Sequence, residues 1–157
     1  MMDGNFWKDK NVKLLGGASL IGTHLALALR DIAGRVAIVD DLSSGRYENV
    51  YRGIDFYQGD LRNSREAKAV LDKGDIVFDL ASQHGGRGYV SGHKVELYDN
   101  VSLSTTIFRA CSEVGVEKVI FSSSACAYPV HLQEDVNELV YLSEDMIDYD
   151  NLLPADG

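Results

Sequence analysis

The chain has 157 residues, 45% hydrophobic and 25% charged with only two prolines, a balance that supports one domain with a buried core and excludes a disordered or fibrous chain. With 24 acidic against 15 basic residues the formal charge is -9, which opposes binding to phosphate backbones and anionic membranes, so neither nucleic acid nor membrane is an expected partner. The opening residues lack the apolar run of a signal peptide, no later stretch is long enough to cross a bilayer, and Cys111 and Cys126 have no zinc spacing; the chain reads as cytoplasmic, reduced and without a metal site.

Val12 to Leu15 is a short apolar run that ends in Gly16-Gly17, and LIGTHLALALRDIAG follows with apolar residues at helical spacing as far as Gly34. This predicts a strand, a tight turn and a helix. RVAIVD (Arg35 to Asp40) is a second strand, Asp55 to Gln58 a third, and Ser64 to Leu71 a helix capped by its serine. DIVFDL (Asp75 to Leu80) is a fourth strand, Val95 to Val114 a long helix, and Lys118 to Ser122 a fifth strand. Strands alternating with helices predict an α/β fold, a doubly wound parallel sheet of order 3-2-1-4-5, because each parallel crossover needs a helix's worth of chain. Residues 1–129 make up this core, and residues 130–157 form an acidic, weakly periodic tail.

The turn GGASLIG, Gly16 to Gly22, follows the first strand and opens a helix. Glycine there lets the backbone approach a pyrophosphate while the amides at the helix start receive its charge. Ser19 stands where the usual pattern has its middle glycine, placing a hydroxyl where it can crowd the phosphate or donate to it. Asp40 ends the second strand about twenty residues on, where a carboxylate accepts ribose hydroxyls and repels a 2′-phosphate, favouring NAD over NADP. The competing reading is structural: Gly16 and Gly22 serve close packing, and Asp40-Asp41 cap a turn. Gly59-Asp60-Leu61-Arg62 and Leu80-Ala81-Ser82 follow the third and fourth strands at the edge where open α/β sheets bind ligands, placed to line adenine and ribose. Ser122 to Cys126 emerge from the fifth strand at that same edge.

Together GGASLIG, VDDLSSG, GDLR, VFDLAS and FSSSACAYP, spread over residues 12–129, resemble the extended short-chain dehydrogenase/reductase family of NAD-dependent sugar-nucleotide epimerases and dehydratases. SSSACAYP and the glycine pair of QHGGRGYV (Gln83 to Val90) are most similar to its 3,5-epimerase branch. The resemblance implies a Rossmann-like sheet, truncated after about the fifth strand, that holds NAD through Gly16, Ala18, Ser19, Leu20, Ile21, Gly22, Asp40, Asp41, Ser43, Asp60, Leu61, Leu80, Ala81, Ser82 and Asn100. It further implies a nucleotide-sugar substrate for the full-length enzyme, a homodimer built on the Val95–Val114 helix, and transient oxidation of a sugar hydroxyl that acidifies the adjacent carbon. Ser124 would hydrogen-bond the reacting hydroxyl, and Cys126 would exchange protons at the epimerised carbons. A small hydrophobe packed beneath the strand end is the other reading of Cys126. His84 and His93 receive no role.

The family's Tyr-x-x-x-Lys, whose tyrosine is the general base, occurs nowhere in these 157 residues. Leu153 to Gly157 resembles the segment that precedes it. The expectation is an amino-terminal portion that lacks the substrate domain and is inactive by itself. The alternative is a non-catalytic dinucleotide-sensing or interaction protein, favoured by Ser19, by Leu15 in place of the family's threonine, and by the missing tyrosine.

Overall fold

The structure, a computed structural model, describes residues 4–83, 92, 94–124, 127–132 and 139–147. Five strands, β1 (Asn11–Leu15), β2 (Arg35–Asp40), β3 (Asp55–Gln58), β4 (Ile76–Asp79) and β5 (Lys118–Phe121), form a parallel sheet in the order β3-β2-β1-β4-β5. The expected order is the observed one, and β2 and β3 have the bounds read from the sequence. The helices are α1 (Gly4–Trp7), α2 (Leu20–Arg30), α3 (Ser64–Ala69) and α4 (Lys94–Val114).

Side chains alternate along each strand, so each central strand buries two faces and reads as a continuous apolar run. Val12 and Leu14 join Val36 and Ile38 under Ala26 and Leu29 of α2. Leu15, Val39 and Val77 occupy the other face with Ala67 of α3 and Ile107, Ala110 and Cys111 of α4. Helices on opposite faces of a parallel sheet make the fold doubly wound and Rossmann-like. Among the described residues no helix is long and apolar enough to cross a membrane.

Local chemistry differs from the expectation at three points. The short α1 lies outside the elements that periodicity predicts; its Trp7 stacks on Phe78 of β4 at 6.3 Å between ring centroids and adds to the α2 side of the core. The cap of α3 is Asn63 rather than Ser64: its side chain accepts from the Arg65 amide at 3.0 Å, leaving Ser64 as the first helical residue. Lys13, in the middle of the apolar run of β1, is only 3% exposed; its ammonium donates to Asp72 at 3.2 Å and lies 3.7 Å from buried Asp75. A buried lysine is tolerated there because its charge is paired.

The chain divides into two compact units, Met1–Ser122 and Ser123–Gly157. The division therefore comes before the boundary read from the sequence, because the turn after β5 already belongs to the second unit. Within that unit the described residues form two single-turn 3-10 helices, Val130–Leu132 and Glu144–Met146.

Candidate functional site

At the carboxyl ends of β1 to β4 the first unit opens a cleft lined by Gly16, Ser19, Asp40, Asp41, Ser43, Asp60, Leu61, Arg62, Leu80, Ala81, Ser82 and Asp99 among others. Its first wall is the turn after β1. Gly16 has φ +70, a left-handed conformation, and a Cβ on it would lie 2.6 Å from the Cα of Ala81. The chain leaving β1 thus rests directly on the chain leaving β4. Gly22, in the first turn of α2, packs on Gly17 so closely that a Cβ would come within 2.3 Å of the Gly17 carbonyl oxygen.

Ser19 is the N-cap of α2. Its hydroxyl accepts from the Gly22 amide at 3.3 Å, so the side chain that replaces a glycine is spent on the helix end. Ala18 is buried, while Leu20 and Ile21 are exposed at the start of the helix.

Asp40 forms the second wall. It is 7% exposed, and its two carboxylate oxygens accept from the Ala18 amide at 3.0 Å and the Leu42 amide at 2.9 Å. Each oxygen keeps a second lone pair, so the group can still accept from a hydroxyl. This arrangement depends on two neighbours that sequence reasoning did not single out. Leu42 adopts φ +61, strained for a leucine, and Gly45 lies so near that a Cβ would sit 2.6 Å from the Asp40 Oδ1. Asp41 accepts from both the amide and the hydroxyl of Ser43.

Just past the end of β3, Asp60 is held at both its amide and its carboxylate. Its amide donates to Glu66 at 2.8 Å, and its carboxylate receives Nε and Nη2 of Arg62 at 2.9 and 3.0 Å. The guanidinium beside it holds the Asp60 carboxyl below the usual carboxylate range. Arg62 also lies 3.9 Å from Asp41 and gives the rim a cation among carboxylates. Leu61 is buried and belongs to the core beneath.

The last wall is the exit of β4. Leu80 donates its amide to the Leu15 carbonyl, and Ala81 donates its amide to Asp79 at 3.2 Å. Asn100 of α4 grips Gln83 on both sides: its Oδ1 accepts from the Gln83 amide at 2.7 Å and its Nδ2 donates to the Gln83 carbonyl at 2.8 Å. That pair of hydrogen bonds fixes the Gln83 backbone against α4. No sequence signal marks this pairing, which joins residues seventeen positions apart.

Of the two expected catalytic residues, Ser124 lies in the second unit with its side chain exposed, and Cys126 lies outside the described residues, as do His84 to Val90. Among the described residues no group of three or more histidine, cysteine or acidic side chains could hold a metal ion. The cleft of the first unit is lined by Gly16, Ser19, Asp40, Asp41, Ser43, Asp60, Leu61, Leu80, Ala81 and Ser82 of the expected cofactor residues; Ala18, Leu20, Ile21 and Gly22 of the same turn and helix start, and Asn100 of α4, are not in its lining. A glycine whose Cβ would fill the turn, a helix start beside it, and a buried carboxylate at the neighbouring strand end fit a dinucleotide.

The family model described as NAD dependent epimerase/dehydratase matches residues 12–146. GDP-mannose 3,5-epimerase 1 of Oryza sativa subsp. indica is 30% identical over 137 residues, which cover 84% of this chain and 36% of that protein. Among solved structures, an epimerase of Methanothermobacter thermautotrophicus superposes with TM-score 0.77 at 27% identity over 94% of this chain and 43% of its own. UDP-glucose 4-epimerase of Thermus thermophilus in complex with NAD has TM-score 0.71 at 26% identity, over 87% of this chain and 43% of its own. The chain thus spans less than half the length of these relatives.

Proposed function

Since the chain belongs to the NAD dependent epimerase/dehydratase family, we propose that its cleft holds NAD and that it supplies the cofactor-binding portion of a nucleotide-sugar epimerase or dehydratase. The observation that carries this reading is the contact of Gly16 with Ala81 beside buried Asp40, which leaves a backbone-lined floor with a carboxylate at its rim. The Gly16 turn and the start of α2 receive the pyrophosphate, Asp40 the adenosine ribose, and Asp60 and Leu61 the adenine side. When bound, NAD supplies a reversible hydride acceptor for a sugar hydroxyl. Ser124 hydrogen-bonds that hydroxyl and Cys126 exchanges a proton at the neighbouring carbon, each by resemblance to the family. With no Tyr-x-x-x-Lys among them, these 157 residues bind and do not turn over. That same observation supports the second reading, a dinucleotide-sensing protein without chemistry.

The test is an amide-resonance titration of the protein with NAD and with NADP, which detects weak binding. Gly16, Gly22 and Ala81 should move with NAD, and NADP should bind roughly tenfold more weakly, about 1.4 kcal/mol of repulsion at Asp40. Asp40→Asn should narrow that preference and weaken NAD as well, because a neutral amide oxygen can serve only one of the two backbone donors. Absence of any shift, or equal effects of the two dinucleotides on the unaltered protein, would reject the assignment.

A further inference from the structure

Asp79, the last residue of β4, is 1% exposed and shares the α4 side of the sheet with Val77 and Cys111. Its Oδ1 accepts from the Ala81 amide at 3.2 Å, while its Oδ2 is buried with no hydrogen-bond partner among the described residues. Its backbone carbonyl is held by Ser122, through the amide at 3.1 Å and the hydroxyl at 2.9 Å, so the residue cannot easily turn away. Ala81 in turn is the surface on which Gly16 rests. A buried carboxyl is thus joined through one hydrogen bond to the wall of the cleft.

Among the described residues, neighbouring elements offer Asp79 no counter-charge. From β1, Lys13 is committed to Asp72 and Asp75. From α4 comes the Cys111 thiol, which burial and the carboxylates of Asp79 and Asp75 push up to about 11, so it stays neutral. From α3, Lys68 is paired with Glu113 and Glu66 receives the Asp60 amide. On β5, Lys118 sits at the opposite end of the strand and Phe121 stands opposite Asp79. At the cleft, Arg62 is held by Asp60.

We propose that Asp79 is a positioning residue of the cleft: by gaining and losing a proton it changes its hold on Ala81 and so the wall behind Gly16, and dinucleotide affinity follows its protonation. The inference takes from the proposed function only that a dinucleotide occupies the cleft. Burial raises Asp79 to about 6, within reach of ordinary conditions. An anionic pyrophosphate placed above a buried carboxylate without a counter-charge favours the protonated form, so affinity rises as pH falls through that value. A bound-state rise of half to one pKa unit corresponds to about a threefold to tenfold gain.

Two measurements on the intact chain decide it. In the ligand-free protein the Asp79 carboxyl carbon should titrate near this value, with the amides of Gly16, Ala81 and Ser82 following at the same midpoint, and Asp79→Asn should leave those amides still. NAD affinity should be about threefold to tenfold higher at about pH 5 than at about pH 7.5 in the unaltered protein and level in Asp79→Asn. The inference is overturned by still amides in the unaltered protein, by pH-independent affinity there, or by pH dependence that persists in Asp79→Asn. Should the amides titrate together while NAD binds at no pH, the coupling stands and the cofactor reading falls.

Discussion

Asp40 and Asp79 each end a central strand of the sheet, and their surroundings separate them. Asp40 accepts two backbone amides, whereas Asp79 accepts one and leaves an oxygen buried without a partner among the described residues. Burial raises Asp79 from its ordinary 3.8 to about 6. Between those values the folded chain keeps a proton that the unfolded chain has released, so its contribution falls as pH rises and levels off above the folded value. That difference corresponds to about 3 kcal/mol of charge-burial cost at neutral pH. Asp79→Asn should therefore raise the urea midpoint at about pH 7, match the unaltered protein at about pH 4, and flatten the profile between. A variant less stable than the parent at neutral pH would show that the carboxylate is held by something stronger than the Ala81 amide.

At the scale of elements, α3 is short and depends on its ends. Asn63 caps it by accepting the Arg65 amide, and its Nδ2 donates to Glu66 at 2.7 Å; Glu66 in turn accepts the Asp60 amide. The cap of a helix is thereby tied to the strand exit that carries a cleft residue. Asn63→Ala should cost about 1 kcal/mol in urea unfolding, with Asn63→Asp recovering most of it because the cap acceptor returns. The Asp60 amide resonance should shift in the alanine variant. An unchanged Asp60 resonance would mean that Glu66 holds its place without the cap.

At the scale of the whole molecule, β5 is an edge strand of the sheet among the described residues, and α4 carries exposed Tyr98, Val101 and Phe108 at helical spacing, with Phe108 packed edge-on against exposed Phe121 at 5.5 Å. An apolar stripe of this kind is more than scattered surface hydrophobes and favours association with a second copy. We expect concentration-dependent self-association by light scattering, and Val101→Asp should shift the population to monomer while leaving the urea midpoint unchanged at dilutions where the parent is also a monomer. A monomer at every concentration would exclude this surface as a contact between copies.

The sequence by itself determined the sheet and its order, because apolar runs such as RVAIVD and DIVFDL, separated by helix-length segments, leave a doubly wound parallel arrangement as the economical solution. It also located the cleft, since Gly16, Asp40 and Asp60 each follow or end a strand and strand ends in such sheets share one edge. The α3 cap is Asn63 and not the expected Ser64 because the extended backbone a cap requires falls at Asn63, which the sequence does not fix. Only the tertiary structure decided that Ser19 faces its own helix, that Asn100 grips Gln83, that Lys13 is buried and paired, and that Asp79 is buried with one oxygen unmatched among the described residues. Each of these depends on which distant groups a side chain meets, and hydrophobic periodicity, which records only the face a residue is on, carries no information about its partner.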